Sequence, residues 1–281
     1  MPRATTVYEP PALRRVRPLA ALAHLRQFSD LLITLSIHRL KVRYKQSRMG
    51  IAWAVLQPLA MMLVFTLMFT VLRAAPSGDV AFPLFVYAAL IPWTMFASGL
   101  SNATTALTSH ASLLTKVAFP REILPLTYIV AALVDLALAS VVLVPLMLWF
   151  GVAPRATALW CLPAIALLIA FLVGAGLLLS AVHVRYRDVG LAMPMLIQVW
   201  LFATPVLYPL EAVRSALPAS LYALYTLNPM AAVVDTFRRG VVLHQSPDFA
   251  VLATATGVVA VVVPCAYLYF KYIELTMADV V

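Results

Sequence analysis

The chain is 281 residues long, 63% hydrophobic and only 11% charged, with a net charge of +9. One soluble core of this size could not hide so much apolar surface from water, so the composition points to a bilayer as solvent. The excess of Lys and Arg, which in a soluble protein would suggest nucleic acid, is explained more simply by basic loops on the cytoplasmic side of a membrane, and no nucleic-acid partner is expected.

Residues 1–48 read as a cytoplasmic N-terminal segment. Arg3, Arg14, Arg15, Arg17 and Arg26 interrupt it before any long apolar run, so no cleavable signal peptide is expected. Leu25, Phe28, Leu32 and Leu35 recur at helical spacing with Arg26 and Asp30 between them, which predicts an amphipathic helix lying along the inner surface of the membrane. Its continuation, Arg39, Lys41, Arg43, Lys45 and Arg48, would sit among anionic headgroups, where each charge gains roughly 1 kcal/mol. Two readings stay open: membrane anchoring, or binding of the phosphate of a lipid substrate.

Residues 49–281 then contain the spans. A spanning helix needs about 20 mainly apolar residues, and six stretches qualify: 51–72, 82–102, 124–150, 159–182, 189–208 and 249–270. The fold class expected is therefore an all-α membrane protein with six transmembrane helices. Counting Lys and Arg in the loops places both termini in the cytoplasm. Between the second and third stretches, the polar loop 104–122 reads as cytoplasmic, with Ser109 capping a short helix that Pro120 ends. Between the fifth and sixth, residues 210–248 hold more than a simple connection. There Asn228-Pro229 starts a helix whose stripe of Met230, Val233, Val234, Phe237 and Val241 opposes Asp235, Arg238 and Arg239. A second short helix is expected between Pro218 and Leu227, the two forming a periplasmic hairpin that dips into the outer leaflet or caps the bundle.

The chemistry present is sparse. No phosphate-binding loop of the G-x-x-x-x-G-K-[ST] type occurs, so a driven process would draw its energy from elsewhere. Asp135 is the one clear acid at depth, either satisfied by a neighbouring hydroxyl or backbone group or acting as a relay. His183 reads as a solvated boundary histidine beside Arg185 and Asp188. Cys161 and Cys265 fit neither a metal site nor a disulfide framework, and no metal site and no catalytic residue is expected. Aromatic residues cluster near span ends as an interfacial belt would, while Tyr87, Trp93 and Phe96 are candidates to face an inner pathway, because aromatic faces pack on the apolar faces of sugars.

Six segments, 42–58 (VRYKQSRMGIAWAVLQP), 83–93 (PLFVYAALIPW), 119–125 (FPREILP), 184–188 (VRYRD), 202–209 (FATPVLYP) and 227–230 (LNPM), taken in this order, closely resemble the blocks of ABC-2 permeases for O-antigen, capsule and teichoic acid export. The resemblance implies a homodimer of permeases over two copies of a separate ATPase subunit, which would bind ATP and Mg while this chain holds no cofactor. It implies a bacterial inner-membrane location and a lipid-linked polysaccharide substrate, O-antigen or a related glycan on a polyprenyl diphosphate or another lipid. It further implies that His110, Ser112, Leu113, Leu114, Thr115 and Lys116 form a coupling helix seated on the ATPase, and that Arg43, Lys45 and Arg48 flank the place where the lipid phosphate is admitted. Tyr208, Asn228 and Phe237 would belong to an outer gate. The alternatives are an ABC-2 exporter of a drug or small lipid, or a membrane glycosyltransferase or ligase, for which Glu122, Asp188, Glu211 and Asp235 are too dispersed.

Overall fold

A computed structural model describes residues 28–45, 48–72, 80–116, 119–274 and 277. Leu25 and Arg26, expected to begin the amphipathic helix, lie outside the described residues, as do the side chains of Thr115 and Lys116. No strand occurs among the described residues.

The chain order is α1 (Ser29–Lys45), α2 (Trp53–Val71, entered through the 3-10 turn Gly50–Ala52), α3 (Phe82–Thr105), α4 (Ala111–Lys116, after the 3-10 turn Thr108–His110), α5 (Ile123–Trp149), α6 (Cys161–Arg185), α7 (Asp188–Phe202), α8 (Leu210–Ala216), α9 (Ala219–Thr226), α10 (Pro229–Arg238, continued by a π-helical turn Arg239–Leu243) and α11 (Phe249–Glu274). Five helical stretches, Gly50–Val71, Phe82–Thr105, Ile123–Trp149, Ala156–Arg185 and Phe249–Glu274, are long and apolar enough to cross a bilayer.

The fifth expected stretch behaves differently. Its helix, α7, has 15 residues and stops at Phe202 instead of running to residue 208. At about 1.5 Å per residue it covers roughly 22 Å, short of the ~30 Å hydrocarbon layer. The cause is local. Pro205 disfavours the helical region at Thr204, and the carbonyls freed at the helix end are answered from the turn that follows and from α10: Asn228 Nδ2 donates to Ala203 O and to Thr204 Oγ1, both at 3.1 Å, and the Tyr208 hydroxyl donates to Phe202 O.

Helix α3 is the axis of the bundle. Its most apolar window is 78% buried, against 6% for α2 at the rim. Around α3 pack α5, α6, α2, α10 and α7, while α6 also pairs with α11. Small residues let α6 approach closely on two sides: a Cβ at Gly176 would lie 3.2 Å from Ala103, and one at Gly174 would lie 3.1 Å from Val263. The α6–α7 turn is equally tight. His183 is buried there, contrary to the expectation of a solvated boundary histidine, with Nδ1 accepting from Gly190 N–H at 3.1 Å. A Cβ at Gly190 would sit 2.6 Å from the imidazole, so glycine at this turn is what allows the ring to fold inward.

Helix α1 does not lie by itself. Phe28, Leu31, Leu32 and Leu35 pack on the chain's own cluster at the ends of α3, α6 and α11, while Ile33, Ile37 and Val42 remain exposed. The region 210–248 also departs from its sequence reading. An unforeseen helix, α8, precedes the pair, and every residue of α10 is buried. Asp235 and Arg238, read as a polar face opposite the apolar stripe, are as buried as the stripe, because α10 is surrounded by α6, α3 and α11.

Candidate functional site

At the end of the bundle that carries α1, one arginine joins three elements. Arg39 Nη2 donates to His110 Nε2 at 2.7 Å, and its guanidinium lies 3.6 Å above the Tyr128 ring. His110 Nδ1 is 2.9 Å from Ala106 O, so the ring is the neutral tautomer with its proton on Nδ1 and its Nε2 lone pair turned to Arg39. Burial lowers the pKa of His110 and the Arg39 charge adds to this, with the bond to Ala106 opposing. Burial lowers that of Arg39 as well, with Tyr128 opposing. One turn further along α1, Arg43 Nη1 donates to Asp135 Oδ2 at 2.6 Å and the Tyr44 hydroxyl donates to Oδ1. A hydroxyl does satisfy Asp135, and an arginine joins it. Arg39 thus meets α5 at Tyr128 and Arg43 meets it at Asp135, so α1 climbs along α5.

The loop residues expected to act together are split between inward and outward faces. His110 turns inward to α1 and α5, and Leu113 and Leu114 are half-buried against the cluster that holds Phe28, Leu35 and Phe270. Ser112 is exposed. Of the basic residues, Arg43 is engaged by Asp135, while Lys45 and Arg48 are exposed.

Sequence reasoning missed an ionic cluster that ties this loop to the last helix. Lys271 Nζ lies 3.0 Å from Glu122 and 2.8 Å from Glu274, all three side chains being buried, and Arg121 Nη1 donates to Glu274 O at 2.9 Å. Each charge stands at a span end, where the ordinary expectation is solvation. The signal available was the excess of both signs at the two ends that must meet.

At the opposite end Asn228 is the organising residue. Its Oδ1 accepts from Met230 N–H at 3.1 Å, capping α10, and from Trp200 Nε1 at 3.0 Å, while its amide group closes the turn after α7. The Tyr208 hydroxyl donates to Phe202 O at 2.6 Å and stands 3.3 Å from the Tyr225 hydroxyl. Tyr208 and Asn228 therefore bracket the same turn, whereas Phe237 is buried in the main core on the far part of α10. Arg238, also unanticipated, runs beneath the turn. Its Nη1 and Nη2 donate to Val206 O at 3.5 Å and Tyr208 O at 3.2 Å, its guanidinium lies 3.8 Å above the Phe85 ring, and Asp235 is 3.9 Å away. Arg239 bonds the other oxygen of Asp235 at 2.8 Å and reaches Glu211 on α8. Two arginines and two carboxylates thus balance in one network joining α8, α10 and the turn.

Tyr87, Trp93 and Phe96 are buried within the chain's own core. Phe96 stacks on Phe171 at 5.7 Å and meets Trp200 edge-on at 4.9 Å, Trp93 adjoins Phe96 at 5.5 Å, and the Tyr87 hydroxyl donates to Ala139 O at 3.0 Å. Among the described residues no cluster of three or more metal-ligating side chains occurs.

The profile of the ABC-2 type transporter family matches residues 30–242. The chain is 33% identical over 251 residues to the O-antigen export system permease protein RfbA of Myxococcus xanthus, covering 88% of this chain and 94% of that protein. It is 26% identical to the protein of the same name from Klebsiella pneumoniae, over 83% of this chain and 89% of that one. With the polysialic acid transport protein KpsM of Escherichia coli the identity is 25%, over 74% and 79% respectively.

Two predictions come from this geometry. Replacing Arg238 by Met leaves Asp235 buried with a partner removed and two turn carbonyls unanswered, so the purified protein should lose about 3–5 kcal/mol of stability, read by thermal unfolding. An Arg238→Lys protein, which keeps the charge but not the fork, should lose less. The second concerns pH. His110 has a folded pKa below its unfolded value near 6.5, so the unfolded chain binds the proton more readily, and the stability of the α1–loop contact is present above pH 6.5 and lost as pH falls below it. The unfolding temperature should drop between about pH 6.5 and 5, and His110→Gln should flatten that part of the profile. An unchanged profile in the variant would show that His110 contributes nothing to it.

Proposed function

We propose that this chain, which belongs to the ABC-2 type transporter family, is the permease subunit of an ATP-driven exporter that moves a lipid-linked polysaccharide across a bacterial inner membrane. The observation that carries this reading is the similarity, over nearly the whole chain, to the O-antigen export permease of Myxococcus xanthus. The similarity to a polysialic acid transport protein supports a glycan cargo more broadly than one sugar. With no phosphate-binding loop in the sequence, ATP and its Mg would be bound by a separate ATPase, two copies serving two permeases.

A homodimer fits the two apolar helices with least cover. α2 leaves Leu63, Val64 and Leu67 exposed and α7 leaves Leu191, Met195 and Val199 exposed, faces suited to lipid or to a second copy. In this reading α7 with the turn after it makes the sixth crossing, both termini are cytoplasmic, and α1 with its exposed Ile33, Ile37 and Val42 touches the inner leaflet. The hairpin α9–α10, held by Tyr208, Asn228 and Phe237, forms the outer gate. Tyr87, Trp93 and Phe96 stand behind the pathway as its packed wall. Lys45 and Arg48, being exposed, meet the lipid phosphate, with Arg43 next to them held by Asp135.

Energy would enter through the loop at residues 110–116. A short helix there passes a movement of the ATPase to α3 and α5, which flank it, whereas a flexible connector would absorb the movement. Two tests follow from this reading. A reporter fused after Met277 should be cytoplasmic and one placed at Ser220 external; the inverse pattern would reject the six-crossing topology. Changing Leu113 and Leu114 together to Asp should leave the protein inserted while export falls at least about ten-fold and ATP hydrolysis no longer tracks transport, a coupling loss of about 1.4 kcal/mol or more. Wild-type export with normal ATPase binding in that double variant would make the loop a connector only.

A further inference from the structure

Between α1, α3 and α5 lies a cavity of about 280 Å³ lined by Arg39, Arg43, Ser98, Asn102, Tyr128 and the small apolar surface of Leu40, Val42, Ala131 and Ala132. Val42, Arg43 and Asn102 are exposed, so the cavity opens to its surroundings. Its volume is below the ~300–1,000 Å³ typical of sites for drug-sized molecules, so it accommodates a headgroup and the first part of a chain and not a whole glycolipid.

We infer that this cavity binds the phosphate of a lipid headgroup, with Arg39 and Arg43 as the cationic partners and Ser98 and Asn102 as neutral donors. The charge balance favours one anionic group. Arg43 is offset by Asp135, the facing histidine His110 is neutral, and α3 contributes no acid to the lining, so Arg39 leaves one net positive charge. A guanidinium carries five N–H donors in a rigid fork that matches phosphate oxygens. Arg39 is moreover held over Tyr128, 3.6 Å from its ring centre, and by His110, so its guanidinium is positioned before any ligand arrives. The other wall is hydrocarbon, which suits an acyl or prenyl chain and gives a free anion nothing. Because Arg39 also bonds His110, at the start of the loop, an occupant that draws on Arg39 competes with or reinforces the contact between α1 and that loop. In sharing Arg43 the inference deepens the proposed reading of the basic segment, but its own residues are Arg39, Ser98 and Asn102.

The experiment reads binding and not export. The purified full chain in neutral detergent micelles is melted with dioleoyl phosphatidic acid, with dioleoyl phosphatidylcholine, and with inorganic pyrophosphate. A ligand that binds only the native state raises the unfolding temperature. Phosphatidic acid should raise it by about 3–6 °C, while phosphatidylcholine and pyrophosphate should leave it nearly unchanged. Ser98→Phe, which fills the cavity without touching a charge, and Arg39→Gln should each lose most of that rise, measured against the variant's own baseline. Arg185→Gln, an exposed charge outside the cavity, should keep it. The inference is overturned if phosphatidic acid gives no rise, if the rise survives in Ser98→Phe, or if pyrophosphate alone reproduces it. Any of those results leaves the export reading standing, since that rests on transport and ATP hydrolysis.

Discussion

Hydrocarbon offers no water to settle a charge or a broken backbone bond, so every polar group carried into the interior of this chain must be answered from within it. That constraint organises both ends of the bundle. At one end Lys271 is met by Glu122 and Glu274, and Asp135 by Arg43 and Tyr44. At the other, Arg238 finds two carbonyls, a phenyl face and a carboxylate. Lys271–Glu274 and Arg238–Asp235 are local pairs on one helix, but Lys271–Glu122, Arg43–Asp135, Tyr44–Asp135 and the bonds of Arg238 to Val206 and Tyr208 each close a long loop of chain. The apolar helices give the protein its bulk, but the ionic closures decide which helix ends belong together, because a mispaired arrangement would strand a buried ion.

The two ends put this constraint to different uses. Around Asn228 the polar groups hold a turn that would otherwise be unsatisfied, since Pro205 has ended α7 early and the carbonyls after it need donors. One amide side chain caps α10, holds the turn and fixes Trp200, whose ring packs on Phe96 and Phe171 in the centre. The turn after α7 and the aromatic core are therefore one packed unit. Around Arg39 and Glu122 the polar groups join separate elements, α1 and α11, to the short loop between α3 and α5. A displacement of that loop is felt by α1 through a hydrogen bond and by α11 through a buried ion pair.

Much of this was legible in the sequence. The five long helices follow from uninterrupted apolar length, and the start of α10 follows from Asn228-Pro229, where the Asn228 side chain caps the helix. The family blocks located the loop and the turn. What could not be read was the interior position of α10. Hydropathy averages over a window, and the window around Asp235, Arg238 and Arg239 averages to a surface helix. Whether such charges can be buried depends on Phe85, Val206 and Glu211, which are far away along the chain and carry no periodic signal that refers to α10. Likewise Arg39 was grouped with four other basic residues, and only the position of Tyr128 and His110 sets it apart.

The burial of α10 also bears on biosynthesis. Its surroundings are α3, α6 and α11, and α11 follows α10 in the chain and so leaves the ribosome after it. While α11 is still being made, the site for α10 lacks one wall, and Asp235 and Arg238 cannot be enclosed. During that interval the two charges need another partner, and water is the one available, so the segment from α8 to α10 waits in a hydrated place. Docking of α10 is thus complete only once α11 is in place, and a bundle deprived of α11 would leave Asp235 and Arg238 with one wall of their enclosure missing.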